Sequence, residues 1–113
     1  MKKDAETFIK HILECFELIE RYTDTITEDD FCKSVQLQDS VIRRIEIIGE
    51  AVKNIPSEVK DKYSEIPWKK IAAMRDILIH EYFGIDLELT WAVVIKDIPE
   101  LKNKMLKMKK ELQ

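Results

Sequence analysis

The chain has 113 residues, the size of a single domain with one modest core, and 45% of its residues are apolar and 36% charged. Only 2 glycines and 3 prolines are present, so tight turns are scarce and long helices with short connections are expected. The net charge of −3 excludes a general basic field that would draw the chain to nucleic acid. We predict one all-α domain over residues 1–113, in which any RNA contact comes from a local patch.

The single cysteines and the lack of long apolar stretches predict a cytoplasmic protein. Cys15 and Cys32 occur singly, and the polar start "MKKDAETF" lacks the apolar segment of a secretion signal. His11 and Cys15 have the spacing of half a metal site, but no second pair accompanies them, so we predict neither a metal nor a cofactor. No stretch approaches about 18 apolar residues, and no membrane partner is expected.

Apolar residues recur at intervals of three and four along most of the chain, which is the pattern of amphipathic helices. "TEDD" offers a capping box, Pro56 ends a helix, Pro67 suits a first turn, Gly84 suits a left-handed stop and Pro99 suits a break. The predicted helices span residues 4–23, 31–35, 36–55, 67–83, 86–97 and 99–111. They are expected to form an antiparallel helical bundle without a sheet.

A polar stripe follows one side of the long helix over 36–55. It consists of Gln36, Asp39, Arg43, Glu46, Glu50 and Lys53. The stripe is either a solvated face with internal ion pairs, Arg43 with Glu46 above all, or the lining of a polar cleft or dimer seam. The second interpretation rests on Ile47 and Ala51, which border the stripe and leave little room for ordinary surface.

Arg75 occupies an unexpected position within the helix over 67–83. On an ideal helical wheel it lies in the middle of the apolar face, within about 80° of residues such as Trp68 and Leu78. A buried guanidinium without a partner costs several kcal/mol, so Arg75 requires a carboxylate, an anionic ligand or a wet cavity. Glu46 or Glu50 of the neighbouring helix is the internal candidate.

His80 lies about 140° from Arg75 on the same wheel, so one straight helix does not direct both side chains to one ligand. Asp76 precedes His80 by four residues, and a carboxylate at that spacing can orient an imidazole. Joint action requires a distorted helix end near Gly84 or a second copy of the chain. By themselves, a histidine in a helix and a tyrosine such as Tyr82 on an apolar face are more often structural than functional.

The stretch "MRDILIHEYFGID" resembles the RX4HXY signature of the HepT-like toxins of the HEPN superfamily, with Arg75, His80 and Tyr82 at the motif positions. The similarity extends to "IEIIGEAVKNIP" upstream, to "IPWKKIAAMRD" leading into the motif and to "ELTWAVVIKDIPEL" after it. It covers most of residues 36–103. The chain is therefore identified by resemblance with this family.

The resemblance implies a homodimeric HEPN-like bundle, with an up-and-down four-helix core and short extra helices, that cleaves RNA without a metal as the toxin of a toxin–antitoxin pair. Arg75 and His80 would be the catalytic residues, and the helix geometry adds Asp76, Glu46 and Glu50 as supporting residues. The chemistry is reasonable because an imidazole can transfer protons while a guanidinium holds phosphate oxygens.

The resemblance also implies a partner, an MntA-like minimal nucleotidyltransferase antitoxin, which in some pairs attaches AMP to the motif tyrosine, here Tyr82. The added charge and bulk would exclude RNA. The alternatives are a non-catalytic dimeric adaptor that binds the nucleotidyltransferase or a nucleotide, with Arg75 in a structural ion pair, and a plain bundle without a site. The lysines of "LKNKMLKMKKELQ" form either a solvated helix face or a phosphate-tracking patch.

Overall fold

A computed structural model describes residues 2–80 and 84–112 of the chain, with side chains from residue 5 onward. The helices are α1 (Lys2–Thr23), α2 (Glu28–Lys33), α3 (Val35–Lys53), α4 (Ser57–Lys62), α5 (Trp68–Leu78), α6 (Leu87–Ala92) and α7 (Ile98–Leu112), and a π-helical turn (Val93–Asp97) joins α6 to α7. Two short strands, β1 (Ile79–His80) and β2 (Gly84–Ile85), pair antiparallel. The prediction of an all-α fold is confirmed, whereas the expectation that the bundle has no sheet is wrong, because these strands form a small two-stranded sheet. Across this described part, no helix combines the length and apolarity needed to cross a bilayer.

The bundle is organised around α1 and α3, which pack against each other. α1 also contacts α7, and α3 also contacts α5, so the helices form one core. Its largest fully buried side chains include Phe16, Ile45, Ile71, Ile98 and Met105. α3 thus presents an apolar side to the core, while the second half of its polar stripe, from Glu46 to Lys53, lies beside α5.

The predicted capping box at the start of α2 is confirmed. The Thr27 hydroxyl accepts from the Asp30 amide at 3.1 Å, and the Thr27 amide donates to the Asp30 carboxylate at 3.0 Å. The Thr27 amide lowers the pKa of Asp30 below its usual value. The helix begins at Glu28 rather than at Phe31, because the cap fixes its first turn immediately after Thr27.

α3 and α5 approach closely at Gly49. A Cβ at this position would lie 3.2 Å from the carbonyl oxygen of Ala72, which is tighter than an ordinary contact. The absence of a side chain at Gly49 therefore permits the crossing, and the crossing brings Glu46 and Glu50, one turn apart on α3, against α5.

α5 ends at Leu78, and the predicted extension of this helix to residue 83 is wrong. The carbonyl of Leu78 accepts a hydrogen bond from the Asp86 amide at 2.7 Å, while His80 pairs with Gly84 across the two short strands. Gly84 has a φ of +72°, so the predicted left-handed conformation is confirmed. The glycine serves the return of the chain toward α5 rather than a helix stop.

Pro99 does not split the last helix as predicted. The chain passes from α6 through the π-helical turn into α7, and the Ile98 amide donates to the carbonyl of Val93, five residues back. In a regular α-helix the proline ring would meet the carbonyl of Ile95, four residues back. The wider π turn directly before Pro99 relieves this clash, so the helix continues.

Candidate active site

Arg75 lies at the rim of a groove between α3 and α5. The groove has a volume of about 260 Å³ and is lined by Glu46, Gly49, Glu50, Lys53, Ala72, Arg75 and Asp76. Arg75 Nε donates to Glu46 Oε2 at 3.1 Å, and Arg75 Nη1 lies 3.4 Å from Asp76 Oδ1. Of the two predicted partners of Arg75, Glu46 and Glu50, the structure shows Glu46.

The expectation that Arg75 is buried is wrong, because 45% of its side chain is exposed. The buried residues of α5 are Trp68, Ile71, Met74 and Leu78. Arg75 stands at the edge of this buried face, where α3 contributes a polar stripe rather than apolar side chains. The guanidinium therefore remains open to a ligand from solvent while its Nε is held by the protein.

Glu46 connects two arginines. Its Oε1 accepts from Arg43 Nη1 at 2.6 Å, and its Oε2 accepts from Arg75 Nε. These contacts lower the pKa of Glu46, the hydrogen bond from Arg43 being the largest cause. Glu50 lines the same groove but pairs with Lys53 at 3.3 Å. Both interpretations of the stripe thus hold in part, since its ion pairs are solvated and its second half lines a cleft.

We expect Arg43→Ala to raise the pKa of Glu46 more than Arg75→Ala does, because Arg43 makes the shorter hydrogen bond. The measurement is an NMR pH titration of the Glu46 carboxyl in each variant. Because the folded pKa is lowered, the carboxylate stabilises the fold above its unfolded pKa, and this contribution is lost as the pH falls through the folded pKa. A larger rise in the Arg75 variant would make Arg75 the dominant partner.

His80 is paired with Asp86, not with Asp76 as predicted. His80 lies on β1, just beyond the end of α5, and its Nε2 is 3.7 Å from Asp86 Oδ2. Residues four apart lie on the same side only within a helix, and the helix ends at Leu78, before His80. Asp76 lies beside Arg75 instead. The histidine side chain is 52% exposed, so it is open to solvent like Arg75.

Asp86 is a site residue that the sequence reasoning missed. Its Oδ1 accepts from the Leu89 amide at 3.0 Å and caps α6, while its Oδ2 faces His80. The signal was present in the sequence, because an aspartate directly before an apolar helix is a typical N-cap. The cap fixes the carboxylate, which can then orient the imidazole.

Arg75 and His80 are thus positioned by different elements, the last turn of α5 and the strand that follows it. Each has a carboxylate partner and each keeps about half of its side chain exposed. A guanidinium so held can donate to phosphate oxygens through its remaining N–H groups, and an imidazole beside a carboxylate can accept or donate a proton. Tyr82 lies outside the described residues.

The possible metal ligands do not converge in residues 2–80 and 84–112, where no group of three or more His, Cys, Asp or Glu side chains is arranged to hold a metal ion. His11 is exposed on α1, whereas Cys15 is buried in the core. Burial raises the pKa of the Cys15 thiol, partly offset by Arg44. Both cysteines are free.

Arg75 in the last turn of α5 and His80 on the strand that follows are the Arg and His of the Arg-X4-His-X-Tyr sequence motif. Residues 12–108 match the family model described as Ribonuclease HepT-like. The chain belongs to the HepT-like ribonuclease family.

Three relatives illustrate the similarity. A protein of Thermococcus cleftensis named "Probable ribonuclease HepT" is 47% identical over 110 residues, which are 97% of this chain and 100% of that protein. A "Putative RNase" of Caldanaerobacter subterraneus subsp. tengcongensis is 48% identical over 104 residues, 91% of this chain and 92% of that protein.

The third relative is longer. A protein of Methanocaldococcus jannaschii named "Gamma-glutamylcyclotransferase and putative RNase" is 62% identical over 112 residues, 99% of this chain. The chain spans about half of the length of that protein, as the matched residues are 50% of it. No solved structure matches the chain.

Proposed function

We propose that the chain is an endoribonuclease that cleaves RNA without a metal ion and uses Arg75 and His80 as its catalytic residues. The observation that carries this proposal is the placement of both side chains at the same end of α5, each about half exposed and each within 4 Å of a carboxylate oxygen. Membership of a ribonuclease family supports it.

The reaction needs little from the protein because RNA carries its own nucleophile. The 2′-oxygen forms a bond to phosphorus, the bond from phosphorus to the 5′-oxygen breaks, and the proton of the 2′-hydroxyl must leave while the 5′-oxygen gains one. His80 can accept or donate such a proton, and the Asp86 carboxylate lies 3.7 Å from its Nε2. Arg75 donates to the phosphate oxygens on which negative charge develops.

One imidazole cannot accept and donate a proton at the same moment, which favours a site that contains a second copy of His80. We therefore propose a two-fold dimer that brings the two motifs to one cleft. Sedimentation at micromolar concentration should give a dimer. A monomer would contradict this part of the proposal.

The biological role that we propose is that of a toxin neutralised by a nucleotidyltransferase antitoxin. Expression of the wild-type chain should arrest growth, whereas His80→Ala should not, and co-expression of the antitoxin should restore growth. The test compares growth curves at equal protein levels. Growth arrest by the His80→Ala variant would show that toxicity does not depend on this histidine.

The ion pair between Arg75 and Glu46 also fits the adaptor alternative, in which the dimer binds a nucleotidyltransferase or a nucleotide without catalysis. The two functions separate in one comparison. Toxicity with no cleavage of RNA by the purified protein would favour the adaptor, whereas loss of both activities in His80→Ala favours the ribonuclease.

We propose that the antitoxin controls the toxin by attaching AMP to Tyr82. We expect co-expression with the cognate nucleotidyltransferase to increase the intact mass of the chain by one or more AMP units, and Tyr82→Phe to prevent this increase. The variant removes only the hydroxyl nucleophile and keeps the ring. An unmodified mass together with full neutralisation would mean that the antitoxin acts by binding alone.

A further inference from the structure

The groove at Arg75 does not by itself attract a nucleic-acid strand. Its lining contains three carboxylates, those of Glu46, Glu50 and Asp76, against the two cations of Lys53 and Arg75. The groove thus has an excess of negative charge. An RNA strand carries a negative charge on every phosphate, and its affinity depends on cations that displace its counterions. These cations must come from another part of the surface.

A larger cavity adjoins the groove on the side of the first turn of α5. It has a volume of about 680 Å³, lies between α4 and α5, and shares Ala72 with the groove at Arg75. Its lining contains Lys60, Lys69 and Lys70 against one carboxylate, that of Asp61. In a chain of net charge −3, this cavity is a local basic patch directly beside the candidate site.

Within the described part of the chain, the side chains of these three lysines are not held by ion pairs. Among the described residues, none forms an ion pair within 4.0 Å with Lys60, Lys69 or Lys70. Lys69 and Lys70 also stand in the first turn of α5, which has no acidic residue and no side-chain cap. The helix dipole disfavours cations at this end and favours an anion there.

The cavity is shaped by a fixed contact between α4 and α5. The indole N–H of Trp68 donates to the carbonyls of Lys60 and Tyr63, at 3.2 and 3.1 Å. This contact holds the main chain at Lys60 beside the start of α5. The main-chain positions of Lys60 and Lys69 on the two walls are therefore set by the fold.

We propose that Lys60 and Lys69 bind the phosphates of single-stranded RNA and lead the strand across Ala72 into the groove at Arg75. The proposal rests on the proposed ribonuclease function and adds the path of the substrate to it. Lys69 precedes Arg75 by six residues, which is about 9 Å along the helix axis. We leave Lys70 out of this pair because it also lines a cavity that contains Asp97 and Glu100.

A second group of lysines provides a matched control. Lys107, Lys109 and Lys110 surround a cavity on α7 with Leu106, and this cavity shares no lining residue with the groove at Arg75. These three lysines belong to the α7 face for which the sequence left two interpretations open, a solvated surface or a phosphate-tracking patch. Because their cavity is separate from the groove at Arg75, they test whether charge alone accounts for RNA binding.

The experiment measures binding without cleavage, with His80→Ala protein and a fluorescent oligouridine followed by anisotropy between about 50 and 200 mM salt. Adding Lys60→Gln and Lys69→Gln should weaken binding roughly tenfold and reduce the log–log salt slope by about 1.4, or 0.7 for each lost phosphate contact. The control Lys107→Gln and Lys109→Gln removes the same charge and should change the slope little.

Equal losses in the two double variants would overturn the track and indicate a general charge effect, and so would an unchanged slope in the Lys60 and Lys69 variant. Absence of RNA binding before the lysines are changed would overturn it as well. In the active protein, the Lys60 and Lys69 pair should raise KM and leave kcat unchanged. If His80→Ala and Arg75→Ala leave cleavage intact, the proposed function fails, while the binding comparison still decides the track.

Discussion

Replacing His80 by alanine is expected to slow RNA cleavage by about 10²- to 10⁴-fold, the usual contribution of a positioned proton-transfer group. The loss should appear in kcat, because the imidazole acts on the reacting oxygens rather than on the remainder of the strand. Wild-type cleavage should be the same with and without EDTA. The measurement is the initial rate on a labelled RNA, and His80 lies on the surface, so the fold should survive the change.

Asp86→Asn provides the matched variant for this prediction. Asparagine is a good N-cap, so α6 keeps its first hydrogen bond while the charge beside His80 is removed. We expect a smaller loss of kcat than in His80→Ala, because the imidazole remains and only the carboxylate charge beside it is removed. Full activity of both His80→Ala and Arg75→Ala, or loss of activity in EDTA, would refute the proposed chemistry.

Replacing Phe31 by alanine is expected to lower the free energy of unfolding by about 3–5 kcal/mol. The ring is fully buried, and its centroid lies 5.6 Å from that of Trp91 on α6. Its removal leaves a cavity between α2 and α6 that neighbouring side chains fill only in part. Urea unfolding followed by circular dichroism measures the change.

The control for Phe31→Ala is Val35→Ala. Val35, the first residue of α3, lies four residues after Phe31 but is 67% exposed, so its truncation should change the stability by no more than about 0.5 kcal/mol. Similar losses in the two variants would show that Phe31 does not anchor α2. The anchor matters for the site because α6, against which Phe31 packs, begins at the cap formed by Asp86.

The parts of the fold that were predicted from the sequence are those determined by neighbours in the chain. The apolar period placed α1 and α3, and the Thr27 capping box placed α2 within three residues. The end of α5 was predicted five residues too late because a distant group, the amide of Asp86, binds the carbonyl of Leu78. The spacing of apolar residues along the chain does not predict this hydrogen bond.

The candidate site shows the same division. Glu46 and Glu50 were predicted as partners of Arg75 because two helical wheels are enough to show them. One wheel places both glutamates in the polar stripe of α3, and the other places Arg75 on the apolar side of α5. The partner of His80 was not predicted, since the wheel treated His80 as helical and placed it near Asp76. Arg75 was expected to be buried because the wheel cannot show where the neighbouring helix stops covering α5.

The π-helical turn before Pro99 is a place where a relative can have one residue fewer without losing the fold. Loss of one residue from an α-helix rotates everything beyond it by about 100°, which would turn the buried side of α7 out of the core. A π turn already contains one residue more than an α turn, so a deletion within Val93–Asp97 would restore an α-helix and leave both flanking faces in register. What such a deletion would lose is the clearance for the proline ring. We therefore expect relatives that are one residue shorter here to lack the proline.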